Sequence, residues 1–230
     1  MGGASLLASS NDGPLHRYLL DLTGQGRPRV CFLGTAGGDS HEYLAAFYAF
    51  FARRAEASHL GLFDRRVDDI EGFLLDQDVI YVGGGNTANM LAIWRTHGVD
   101  AALRKAWQQG VILAGPSAGA VCWFEGGTTD SFGPEIGALR DGLKLLRGSF
   151  CPHYDSESLR RPRYHELVAS GVLPDGYAAD DSVGLLFAGS ELAEVVAVLP
   201  ETRAFSVERR RARGRPDTVE EIAIRPRILR

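Results

Sequence analysis

The sequence predicts an α/β fold with a doubly wound, mostly parallel sheet and a β-rich C-terminal part. Three observations carry that prediction. Through about residue 125, short β-rich runs alternate with amphipathic helical patterns, the order expected when parallel strands are covered by helices. Two of those runs end in glycine clusters, VGGGNT (82–87) and AGPSAGA (114–120), at the carboxyl ends where open α/β sheets collect their function. Beyond residue 125, glycine-rich turns separate short strands, which signals hairpins rather than crossovers.

In chain order, RVCFLGTA (29–36) reads as a buried strand, and HEYLAAFYAFFARRA (41–55) as a helix with Tyr43, Leu44, Phe47, Phe50 and Phe51 on one face. SHLGLF (58–63) is the next strand and DDIEGFLLDQ (68–77) a short amphipathic helix. DVIYVGGG (78–85) is a strand ending in glycines, and NTANMLAIWRTHG (86–98) is the helix that follows, with Gly98 as its stop. A helix over 100–109 leads into the strand VILAG (111–115). Further on, GLLFAGSELAEVVAV (184–198) predicts a hairpin turning at Gly189-Ser190, and RRRARGR (209–215) a solvated hairpin turn. With no internal repeat and no second composition regime, one domain over 1–230 is expected.

Composition narrows the classes of function. The 230 residues are 45% hydrophobic and 23% charged, with net charge -4, so no basic field recruits nucleic acid or an anionic membrane. No apolar run approaches the roughly 20 residues of a membrane span. The opening MGGASLLASSNDG lacks the basic and apolar regions of a leader. Three unpatterned cysteines, Cys31, Cys122 and Cys151, fit buried reduced thiols. A cytoplasmic protein is expected. No histidine pair has helical ligand spacing and the cysteines are scattered, so neither a metal nor an organic cofactor is expected. A sheet edge in the C-terminal third could pair two chains as a homodimer.

The glycine-flanked serine is the most chemical feature. In GPSAGA (115–120) Ser117 stands between Gly115 and Gly119 where a strand turns into a helix, the pattern of a nucleophile elbow. The following helix would aim its N–H groups and dipole at the serine oxygen, making the Ala118 N–H an oxyanion donor, with a second donor from the glycines at 83–85. A serine nucleophile needs a base. His16, His41, His97 and His165 lie in or beside helices patterned for the surface, and His59 begins a strand without polar company. His153 stands in a loop with Tyr154, Asp155 and Glu157. The acid that fixes the imidazole could be Asp180, Asp181 or Asp130, each of which also reads as a turn residue.

Taken together, YVGGGNT, GPSAGA, CPHYD and ADDSVGL, in this order over residues 28–210, resemble the peptidase E family of serine dipeptidases, with cyanophycinase a more distant relative. The resemblance implies a fold similar to class I glutamine amidotransferases, with a serine where those enzymes keep a cysteine. It implies Ser117 as nucleophile, His153 as base and Asp181 as acid, with Asp130 as the alternative. Gly85 and Asn86 fall in the oxyanion and substrate-binding turn. In SLRRPRYHEL (158–167) Arg160 matches the position that would bind an N-terminal aspartate, with Arg163 one turn on. The implied activity is hydrolysis of short peptides, dipeptides with N-terminal aspartate among them. The rivals are a cyanophycinase-like or esterase hydrolase, or a binding module without chemistry.

Overall fold

Strand order decides where the loops of an α/β sheet can meet. The computed structural model describes residues 1–4, 6, 13–211 and 216–229. They group into two compact units, Ser5–Gly119 and Met1–Ala4 with Ala120–Arg230, each described by itself.

In the first unit the elements are α1 (Gly13–Asp21), β1 (Arg29–Leu33), α2 (His41–Phe51), β2 (Glu56–His59), α3 (Ile70–Leu75), β3 (Val79–Val82), α4 (Thr87–His97), α5 (Val99–Gln108) and β4 (Ile112–Ala114). The strands form one sheet in the order β2-β1-β3-β4, parallel throughout. That order reverses direction between β1 and β3, a topological switch point of the kind that creates a crevice at the strands' carboxyl ends. Helix starts follow side-chain chemistry. Ser40, Asp69 and Asn86 cap α2, α3 and α4 by accepting the Tyr43, Gly72 and Asn89 N–H groups. Gly98, at φ 72°, ends α4 by returning its N–H to the Trp94 carbonyl.

The fully buried rings of Phe32, Phe47, Phe51 and Tyr81 form the core under β1 and β3. His16 joins them, correcting its reading as a solvated residue. It is buried on α1, with Nε2 3.0 Å from the Tyr81 hydroxyl, and its ring lies against Phe50 and Phe51. The helix pattern around it has no feature that separates a buried, hydrogen-bonded histidine from an exposed one. The second strand also starts and stops earlier than the apolar pattern suggests. Gly61 follows, and the Asp39 carboxylate takes the Leu62 and Phe63 N–H groups at 2.6 and 3.2 Å, drawing the chain out of the ladder.

α6 (Ala118–Val121) joins the two stretches of chain. The second unit continues with β5 (Gly126–Thr129), β6 (Gly137–Leu139), β7 (Ser149–Cys151), α7 (Arg160–Ala169), β8 (Gly176–Ala179), β9 (Val183–Ala188), β10 (Glu191–Ala197), β11 (Ala204–Arg210), β12 (Thr218–Ile224) and β13 (Arg227–Ile228). Six strands pair in the order β12-β11-β8-β7-β5-β6 and three in the order β13-β10-β9. Only the centre of the larger sheet, β5-β7-β8, is parallel. The β9–β10 hairpin turns at Gly189-Ser190, with Gly189 at φ 59°, as its sequence predicts. β11 and β12 pair from Ala204↔Ile224 to Arg210↔Thr218. The end of the arginine run, 212–215, lies outside the described residues. α7 packs on the larger sheet through Tyr164, Leu167 and Val168, beside Cys151, Ala178 and Val207.

Candidate active site

Glycine at the carboxyl ends of β1, β3 and β4 lets three loops of the first unit approach one another. A Cβ on Gly85 would stand 2.2 Å from the Ala36 carbonyl oxygen, and Gly85 itself has φ 134°. Only glycine fits there, for both space and backbone. The Asn86 N–H donates to the same Ala36 carbonyl at 2.8 Å. Gly115 and Gly119 both abut the Val82 carbonyl, where a Cβ of either would come within 2.3 Å. The third loop therefore closes directly onto the end of β3.

Between those two glycines Ser117 adopts φ 52°. A left-handed non-glycine residue costs about 1–3 kcal/mol and persists only where its surroundings impose it. Here the imposition comes from the tight Gly115–Gly119 packing. The Ser117 side chain is partly buried, and a Cβ on Gly84 would lie 3.5 Å from the serine's own. Among the three glycines after β3, the Gly83 N–H donates to the Leu33 carbonyl at 3.0 Å and the Gly84 N–H to the Tyr43 hydroxyl at 3.1 Å. Gly85 is left as the donor with no partner among the described residues. On the serine side, Ala118 opens α6, where backbone N–H groups have no intrahelical acceptor, while the Gly119 N–H bonds the Pro116 carbonyl at 2.9 Å.

The helix after Ser117 is shorter than a nucleophile elbow suggests. It has four residues. Beyond it the Trp123 and Phe124 N–H groups bond the carbonyls three residues back, at Ala120 and Val121, a tighter winding that runs out before β5. A macrodipole of one turn adds little, so any charge stabilisation there rests on individual N–H groups. Asn86 uses its side-chain oxygen to cap α4 through the Asn89 N–H, 2.8 Å away. That fixes the loop but occupies one acceptor of a residue expected to bind substrate.

In the second unit, His153 follows β7 and Asp181 follows β8, neighbouring parallel strands. The parallel pairing brings their loops together, and His153 Nδ1 lies 2.8 Å from Asp181 Oδ1. This bond leaves Nε2 as the other working nitrogen of the ring. Burial alone would raise the Asp181 carboxyl, but hydrogen bonds from His153 and Ser156, with the charge on His153, outweigh it and hold the group below its ordinary value. Its neighbour behaves oppositely. Burial raises Asp180 to about 6, despite the compensating Arg203 N–H at 2.8 Å. Asp130 is exposed in the turn after β5, where its main-chain carbonyl accepts the Gly133 N–H. Asp181 is thus the acid on the His153 ring.

His153 itself has φ 54°, with the next residue pinned by a Tyr154 N–H to Ala179 carbonyl bond of 3.1 Å. Sequence reasoning missed the job of Asp155, whose Oδ1 accepts the Asp181 N–H at 2.8 Å. The acid inside CPHYD was its only signal. Tyr154 was another, and its hydroxyl meets His165, at 2.9 Å, and Glu221. Arg160 is placed deeper than expected of a substrate cation. Its side chain is 4% exposed, with Nε 2.7 Å from Glu157 and Nη1 at 3.3 Å from the Thr128 carbonyl. Arg163 bonds the Ile136 carbonyl and Glu166. Among the described residues no histidine, cysteine and carboxylate cluster could hold a metal ion, and no helix is long and apolar enough to cross a membrane.

Residues 1–195 match the family model of peptidase family S51. The chain belongs to that family. It is 46% identical over 208 residues to the uncharacterized peptidase YgaJ of Bacillus subtilis (strain 168), covering 90% of each chain. Two solved structures share the fold. A peptidase from an acI-B1 Actinobacterium superposes with a TM-score of 0.61 at 16% identity, covering 97% of this chain and 95% of its own. A candidate peptidase E from Listeria monocytogenes EGD-e gives 0.55 at 18% identity, with 94% of each chain covered. This S51 chain is thus a peptidase on a peptidase E fold, and the sequence resemblance to that family holds.

Proposed function

We propose that this S51 peptidase is a serine exopeptidase acting on short peptides, dipeptides above all, without a metal. The observation that carries the reading is the left-handed Ser117 between Gly115 and Gly119, a strained turn whose stability cost is explained if the hydroxyl must be presented at a strand end. His153 would take the Ser117 proton as the hydroxyl attacks the scissile carbonyl, and Asp181 would hold the imidazole tautomer and balance its charge. Gly85 and Ala118 N–H groups would stabilise the tetrahedral oxyanion. The imidazolium then protonates the departing amine, leaving an acyl-enzyme. Water, deprotonated by the same histidine, releases the acid and restores Ser117.

A preference for N-terminal aspartate rests on Arg160, whose guanidinium already serves Glu157 and Thr128. It is therefore the part of the reading easiest to separate from the rest. Hydrolysis of Asp-X dipeptides beside matched Ala-X, Gly-X and Ser-X dipeptides, by wild type and Ser117→Ala, tests both. Selective Asp-X cleavage lost in Ser117→Ala supports the full reading. Cleavage of other dipeptides, also lost, keeps the serine mechanism and discards the aspartate pocket. Peptide cleavage that survives Ser117→Ala sinks the mechanism.

A further inference from the structure

Far from β9 in sequence, the first residues of the chain complete the surroundings of the His153–Asp181 pair within the second unit. An isolated β-bridge joins Gly3 to Asp181. The Ser182 N–H donates to the Gly3 carbonyl at 2.8 Å, and the Gly2 N–H donates to the Val183 carbonyl at 3.0 Å. Residues 2–3 thus form a short extra strand along 181–183. Both are buried.

The closeness of this contact is what gives it meaning. A Cβ on Gly3 would stand 2.1 Å from Asp181 Oδ1, 2.8 Å from its Cγ and 2.9 Å from His153 Cε1. That Oδ1 is the oxygen facing His153 Nδ1. A Cβ on Gly2 would run into the Asp180 and Ala179 carbonyls at 2.2 and 2.5 Å. Gly3 does not need glycine for a left-handed backbone, because its φ lies outside that region. It needs glycine for space, so that main chain can lie flush against a carboxylate and the edge of an imidazole.

We propose that Gly3 is a positioning residue: the Gly2–Gly3 main chain walls one side of the His153–Asp181 hydrogen bond and fixes the acid in register. The inference rests on the serine-peptidase reading for its catalytic consequence. The wall acts with a second restraint, the Asp155 carboxylate on the Asp181 N–H, so the acid's main chain is held from two directions. The pair is otherwise half open, with side-chain exposures of 23% for His153 and 39% for Asp181. A main-chain wall can there limit both water and the swing of the carboxylate. Charged neighbours on the same loops are Asp155 and Asp180, while the atoms nearest a Cβ on Gly3 belong to Asp181 and His153.

The test is Gly3→Ala, read by steady-state kinetics on the peptide cleaved best by wild type and by the NMR chemical shifts of the His153 ring. Misplacing a catalytic group by about 1 Å can cost up to about 10²-fold. We therefore expect kcat to fall about 10- to 100-fold with KM within about twofold, and the His153 ring resonances to move as the Asp181 carboxylate is displaced from Nδ1. Gly26→Ala, where a Cβ meets nothing within 4 Å, should change neither. Because Gly3→Ala could unfold the site, the decisive partner is the double variant Gly3→Ala/Asp181→Ala. Acting through Asp181, the change at Gly3 should cost little beyond Asp181→Ala alone, a strongly non-additive cycle. A folded Gly3→Ala with unaltered kcat and unaltered His153 ring resonances overturns the proposal, as does a penalty that stays undiminished without Asp181. If wild type cleaves no peptide, the serine-peptidase reading fails by itself, and the His153 ring resonances still decide whether Gly3 positions the pair.

Discussion

Ser117 at φ 52° and His153 at φ 54° are two of the five non-glycine residues held in the left-handed conformation among the described residues, and their turns are built in different ways. The Ser117 turn is local. Gly115 and Gly119 lie within two residues on either side, and both press against the end of β3 where no Cβ fits. The His153 turn has no glycine beside it. It is held by what lies across the sheet: the Ala179 carbonyl on the Tyr154 N–H, the Asp181 carboxylate on the imidazole, and main chain from residues 2–3 behind that carboxylate. One strained residue is imposed by its neighbours in sequence, the other by its neighbours in space.

The largest way to break the comparison is at the first turn. Ser117→Ala should lower peptide hydrolysis by about 10⁴-fold or more while leaving the melting temperature unchanged or raised, since alanine removes the hydroxyl and not the fold; parallel kinetics and calorimetry check it. The next is at the second turn. Asp181→Asn should lower kcat by about 10³- to 10⁴-fold by favouring the wrong imidazole tautomer. Asp130→Asn should stay within about threefold if it has no part in orienting that ring. Equal losses in the two variants would remove the distinction drawn between these acids.

A smaller effect sharpens the local half. Gly119→Ala forces a methyl toward the Val82 carbonyl and should cost about 1–3 kcal/mol in denaturant unfolding. The smallest concerns the adjacent acids. Asp180 is raised from its ordinary 3.8 to about 6, by burial first. The folded protein therefore binds that proton more tightly than the unfolded chain, and the group's contribution to stability is complete at low pH and lost as pH rises through about 6. Asp180→Asn should consequently gain in melting temperature relative to wild type between pH 4 and 6, with the gain constant above that window. For Asp181, held low, the sign reverses: its contribution is present at neutral pH and lost as the medium becomes acid enough to protonate it in the folded state.

The same contrast explains what could be read from the residues. The strands ending at Leu33, Val82 and Ala114 and the hairpin at Gly189-Ser190 each carry a local signature of apolar runs or glycine turns and lie where that signature puts them, whereas the strand at Glu56–His59 is displaced from its apolar run. His153 and Asp181 are 28 positions apart, and only the parallel pairing of β7 with β8 brings their loops together. Reading the residues alone left three acids open, and resemblance supplied the choice. Gly3 and Asp155 were illegible because their work is done by a main-chain wall and a single N–H, neither of which leaves a pattern in sequence. Arg160, which resemblance puts at the position that would bind an N-terminal aspartate, is buried on Thr128 and Glu157, and periodicity does not say which side of α7 meets the sheet.

Ser117 as the nucleophile is the claim on which the rest depends, and covalent labelling tests it most directly. The protein would be treated with a fluorophosphonate under conditions where it hydrolyses peptides, and the adduct mapped by tandem mass spectrometry. The account predicts one adduct, on Ser117, absent from Ser117→Ala and slowed in Asp181→Asn. An adduct on a different serine, or full peptidase activity in protein that takes up no label, would contradict it.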